Sequence, residues 1–124
     1  MSTKNTMKAE SKNIDRAADE RRNFDKGKIE LAHFGDTTIA RVRLEPGWRW
    51  STSVKPLVNT ESCLQTHTGY VVSGRMRIRM NNGAETEVGP GDAMVIPSGH
   101  DAWVIGNEPF VGIDFTGGKM YAQK

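Results

Sequence analysis

The sequence predicts an all-β domain, a sandwich or barrel of short antiparallel strands. Three observations predict it: β-like runs recur from residue 29 onward, turn residues separate them, and no window in that region shows helical periodicity. A chain of 124 residues with 36% hydrophobic residues can bury one core but not two, so a single domain at 29–124 is expected.

Residues 1–28 read differently. This leader carries eight Lys/Arg against five Asp/Glu, whereas the remainder has nine basic and ten acidic residues. The folded part is therefore near neutral, which argues against nucleic acid as its partner. Low hydrophobicity in the leader predicts disorder or a marginal helix around Ile14 to Phe24, so that truncation near Lys26 leaves the domain folded. No apolar run approaches membrane-spanning length, and the first residues lack the apolar segment expected of a secretory signal. The single cysteine, Cys63, cannot form an internal disulfide, and a cytoplasmic location is expected.

The strands follow in order as "KIELAHF", "TTIARVRL", "GYVVSGRMRIRM", "AETEV", "AMVIP", "DAWVI" and "FVGIDF". In "RMRIRMNNGAETEV", Met76, Ile78 and Met80 alternate with Arg75, Arg77 and Arg79. A three-residue loop with Gly83 left-handed sets Met80 against Ala84, Ile78 against Thr86 and Met76 against Val88. The same register sets Arg79 against Glu85 and Arg77 against Glu87, opposite charges worth about 0.2–1 kcal/mol per pair, so the arginine stripe reads as a salt-bridged outer face. A two-residue loop would put both glutamates on the apolar face. The turn Gly89-Pro90-Gly91-Asp92 then leads into a strand at Ala93 to Ile96 that reads as buried, and Pro97-Ser98-Gly99 leads into the next.

In this last stretch the sequence resembles the cupin family. Gly91, Pro97 and Gly99 fall in register with the second cupin motif, G-x5-P-x-G-x2-H, and Gly47 and Gly74 stand at the ends of the first, G-x5-H-x-H-x3–4-E-x6-G. The resemblance spans about residues 30 to 116 and implies an antiparallel double-sheet barrel of the jelly-roll type. It also implies a site in the barrel mouth and frequent dimers, in which the strand Ile29 to His33 could be exchanged between subunits. The family's metal ligands are mostly replaced. Ser53 and Lys55 occupy the two histidine positions counted from Gly47, His67 occupies the glutamate position counted from Gly74, and Ala102 occupies the second-motif histidine position. His100 stands two residues earlier, on the same strand face but displaced by about 6–7 Å.

A replacement site is readable in Cys63, His67 and His100. A thiolate and two neutral imidazoles suit Zn²⁺ with an open fourth position, and fit non-haem iron less well; Glu61 or Ser53 could stand beside them. The alternative is that no metal binds: Cys63 is then ordinary core, His67 an interior histidine satisfied by one partner, and His100 an exposed turn residue. His67 points inward on either reading. His33 receives no role, and Lys55 in a loop reads as solvated.

Trp48, Arg49, Trp50, Tyr70 and Trp103 form the expected small-molecule pocket. Rings supply apolar contact and Arg49 could pair an anion, although at least one of Trp48 and Trp50 should pack as core. Two functions follow: a cupin binding a small molecule, with or without a divalent metal, or a zinc-dependent hydrolase, isomerase or lyase using Cys63, His67 and His100.

Overall fold

The computed structural model describes residues 8–116; the outer ends of the leader and of the domain lie outside the described residues. α1 (Ile14–Ala17) is one turn, capped by the Asn13 side chain, which accepts from the Arg16 backbone N–H. β1 (Glu20–Phe24), β2 (Gly27–Phe34) and β3 (Thr37–Leu44) form an antiparallel meander. Two single turns, α2 (Trp50–Ser53) and α3 (Lys55–Val58), occupy the loop after it. There follow β4 (His67–Ser73), β5 (Arg75–Met80), β6 (Glu85–Val88), β7 (Ala93–Ile96), β8 (His100–Ile105) and β9 (Phe110–Asp114).

Two sheets result, one of six strands in the order β1-β2-β3-β9-β4-β7 and one of three in the order β6-β5-β8. Their apolar faces share one core: Ile29, Leu31, Val71 and Phe110 from the larger sheet, with Ile78, Val88, Ala102 and Val104 from the smaller. Each fully buried Ile, Leu or Val contributes about 1.5–3 kcal/mol relative to exposure. The sheets pack as a sandwich and do not close into the expected barrel.

The β5–β6 hairpin has the register read from the sequence. Met76 faces Val88, Ile78 faces Thr86, and Gly83 takes φ +91° in the loop that lets the Met80 N–H reach the Ala84 carbonyl at 2.8 Å. Arg79 lies opposite Glu85, but the ion pairs slip by one register step: Arg77 reaches both Glu85 and Glu87, and Arg75 takes Glu87 as well.

Three expectations are corrected. Of the leader's described residues, 8–28, the expected helix is confined to α1, and the segment from Asp19 onward is strand rather than disordered: β1 pairs with β2 over five residues, the Asp19 N–H donates to Leu31, and the Asp19 carboxylate accepts from His33. Arg21 and Arg41 close on the buried Glu30, and Arg41 also holds Asp15 in α1. The 28/29 boundary thus falls inside β2, whose Ile29–His33 segment pairs within the chain. The second correction is α2 and α3, four residues each and too short to show periodicity; Pro56 stands in the first turn of α3, and Asn59, at φ +63°, ends it. The third is β7, an edge strand that buries only Ile96 and leaves Val95 68% exposed, because Ala93 and Val95 alternate onto the outer face of the sheet.

Gly69 is required by packing. A Cβ there would drive into the backbone carbonyl oxygen of Ile113 on the paired strand β9. Gly69→Ala is expected to lower stability by about 2–4 kcal/mol, read as the midpoint of chemical unfolding, because the obstacle is backbone and cannot rotate away.

Candidate metal centre and adjoining cavity

Backbone pairing brings the three ligand-type residues together. Cys63 forms an isolated antiparallel bridge with His100: its N–H donates to the His100 carbonyl at 2.8 Å, and the Gly99 N–H donates back to the Cys63 carbonyl at 2.7 Å. Gly99 makes this turn at φ +93°, in the left-handed region. His67 opens β4 opposite Ile96, and the two-residue period of a strand puts it on the inner face with Gly69 and Val71. All three side chains are buried, and one ligand atom from each lies within 4.8 Å of the others.

Each imidazole is anchored through Nδ1. His67 Nδ1 meets the Asp114 carboxylate at 2.5 Å, and His100 Nδ1 meets the Pro97 carbonyl at 2.7 Å. A carbonyl only accepts, so His100 Nδ1 donates to it, and Nε2 is the ring nitrogen left to meet Cys63 or a metal. His67 Nε2 faces Cys63 Sγ at 3.8 Å, and the two rings stand edge to face with centroids 5.4 Å apart. Burial pushes the Cys63 thiol up, but hydrogen bonds from His100 and His67 more than offset it and bring it down to about 6. Burial likewise pulls His67 down, while the hydrogen bonds to Asp114 and Cys63 raise it to about 9. Without metal the pair is thiolate and imidazolium around neutral pH.

The arrangement fits a tetrahedral zinc ion. Bond lengths of about 2.3 Å to sulfur and 2.0–2.1 Å to nitrogen set ligand-to-ligand edges of about 3.3–3.6 Å. The His67–Cys63 separation, 3.8 Å, is already near that value. Asp114 is the residue sequence reasoning missed. Its signal was the alternation of "FVGID", which places Phe110, Gly112 and Asp114 on the inner face.

A cavity of about 50 Å³ lies between the sheets against this cluster. Trp48, Trp50, His67, His100 and Asp114 share its lining with apolar side chains such as Met76 and Phe110. Both tryptophans are buried, as core and lining at once.

The other expected pocket residues point elsewhere. Trp103 alternates with the inward Ala102 and Val104, so it lies on the outer face, where Arg49 stacks on it at 4.2 Å and pairs with Asp101 at 3.4 Å. Tyr70 is exposed beside Val71. Ser53 bonds to Asp25, and Glu61 is exposed and pairs with Lys55, so neither stands at the cluster. His100, read in one alternative as an exposed turn residue, is 3% exposed.

Residues 64–115 match the cupin domain family. No curated protein matches the sequence. Among solved structures, a Rhizobium leguminosarum protein of unknown function is 19% identical, with a TM-score of 0.59 over 89% of this chain and 97% of that one. A cupin-2 domain from Rhodospirillum rubrum is 17% identical, with a TM-score of 0.55 over 76% and 61%. An oxalate decarboxylase from Lactobacillus farciminis, solved with formate, is 21% identical, with a TM-score of 0.57 over 82% of this chain and 32% of that one. The chain thus spans about a third of that enzyme's length, and the likeness is one of fold.

Proposed function

With residues 64–115 a cupin domain and the described chain in the cupin fold, we propose that this protein binds a divalent metal, zinc in preference to iron, and admits a small molecule beside it. The observation that carries the reading is the convergence of Cys63, His67 and His100 within 4.8 Å, next to a cavity that His67 and His100 both line. A soft thiolate and two imidazoles select zinc from among the common divalent ions, and three protein ligands leave a fourth position for the small molecule. Titration with zinc against a chromophoric chelator tests this, with a single site per chain as the expected result.

Asp114 orients the site. It fixes the His67 ring through Nδ1 and thereby aims Nε2 at Cys63. Asp114→Ala is expected to weaken zinc binding about 10–100-fold in the same titration, with Asp114→Asn recovering part of the loss because the amide oxygen still accepts from Nδ1–H.

A second reading, a zinc-dependent hydrolase, isomerase or lyase, is supported by the Asp114–His67 pair itself. A bound metal supplies a Lewis-acid position there. Asp114 holds a proton on His67, Cys63 balances it electrostatically, and the apolar walls limit water; a screen of small-molecule hydrolase, isomerase and lyase substrates separates the two readings. The exposed outer-face residues Tyr70, Ala93 and Val95 on the β4–β7 edge support a homodimer through that face. Among the described residues no helix is long and apolar enough to cross a membrane, and the free thiol of Cys63 suits the cytoplasm.

A further inference from the structure

The Trp48 indole N–H is buried and has no hydrogen-bond partner among the described residues, although Trp48 lines the cavity. Leaving a donor unsatisfied in an apolar site is unfavourable, and such groups are rare in folded proteins. The rest of the lining narrows what can satisfy it. Leu44, Met76, Ile96 and Phe110 supply apolar wall, and among the described residues no lysine or arginine lines the cavity, Arg49 being held outside by Asp101 and Trp103. The positive charge of His67, or of a zinc ion bound beside it, is already balanced by Asp114 and Cys63, so a free anion would lose its hydration there against no uncompensated cation. The cavity also sets a size. About 50 Å³ of accessible space corresponds to roughly three to five water molecules.

We propose that the cavity takes a compact, uncharged, largely apolar carbonyl compound whose oxygen accepts a hydrogen bond from Trp48 Nε1. This rests on the small-molecule reading above and gives that molecule a chemical class. Its apolar body lies against Met76 and Phe110, and Trp48 discriminates in favour of the carbonyl over a hydrocarbon of the same shape. A site built around a buried donor rejects the analogue that leaves the donor unpaired.

Two probes of matched shape test it, cyclopentanone and cyclopentane, added to the full-length protein with and without zinc. The expected result is that cyclopentanone, and not cyclopentane, moves the Trp48 indole N–H proton resonance. Trp48→Phe, which keeps an aromatic wall and removes the donor, should weaken cyclopentanone binding about tenfold and leave cyclopentane unchanged. The indole resonance is read in the native protein, so a variant that fails to fold does not decide the matter. Equal movement with both probes, equal cyclopentanone affinity in the folded variant, or no movement with cyclopentanone up to its solubility limit overturns the proposal. Zinc bound at one per chain beside any of these leaves the metal site standing. A selective indole response in protein that takes up no zinc supports the carbonyl site and removes the metal reading alone.

Discussion

Replacing Cys63 or His67 is expected to abolish stoichiometric zinc. Four-ligand structural zinc sites are worth about 10–16 kcal/mol, so one ligand carries about 3–4 kcal/mol, and its loss weakens binding about 10²–10³-fold. Cys63→Ala is the cleaner variant, since it removes a buried sulfur and leaves both imidazole anchors in place. His67→Ala also leaves the buried Asp114 without its imidazole, so His67→Gln, whose amide can donate to Asp114, separates ligand loss from destabilisation. Elemental analysis after dialysis reads the result.

The binding should depend on pH in a stated direction. His67, raised to about 9, is protonated at neutral pH, and zinc must displace that proton. Cys63, lowered to about 6, has already lost its own. From these two groups, affinity therefore rises about tenfold per pH unit between about 6 and 9, flattens above 9, and falls more steeply below 6, where zinc must displace two protons. A flat profile from 6 to 9 contradicts the imidazolium–thiolate pair.

The second large effect is on stability. A chain beginning at Asp25 loses α1, β1, and the Arg21 that pairs with buried Glu30, and it exposes the β2 edge. Removing one partner from a buried charge is costly, and five residues of strand pairing go with it. The expected loss is about 3–5 kcal/mol, a fall in Tm of roughly 15–25 °C by calorimetry. A Tm within about 3 °C of the full chain contradicts the β1 pairing. Zinc affinity of the folded, truncated chain should change little, because β1 and β4 lie three strands apart, with β2, β3 and β9 between them.

What the sequence made legible was local or periodic. The β5–β6 register followed from alternating Met/Ile and Arg against Glu85 and Glu87, all within one hairpin. Cys63, His67 and His100 could be grouped because the spacing from Gly74 and Gly99 placed them near one another on the cupin pattern. What stayed illegible was set by distant partners. "ERRNF" is polar enough to read as disordered, and becomes a strand because β2 offers an edge and Glu30 offers a charge to Arg21. The grouping of Arg49 and Trp103 with the pocket ignored the alternation His100, Ala102, Val104, which turns Trp103 outward. Asp114 was within reach by the same rule, but nothing in the sequence near it announced a histidine partner 47 residues away.

X-ray absorption at the zinc edge, on protein loaded with one equivalent, tests the metal centre most directly. The account predicts one sulfur at about 2.3 Å and two imidazole nitrogens at about 2.0–2.1 Å, with a lighter fourth ligand. A shell of oxygen and nitrogen with no sulfur would place the metal away from Cys63 and contradict it.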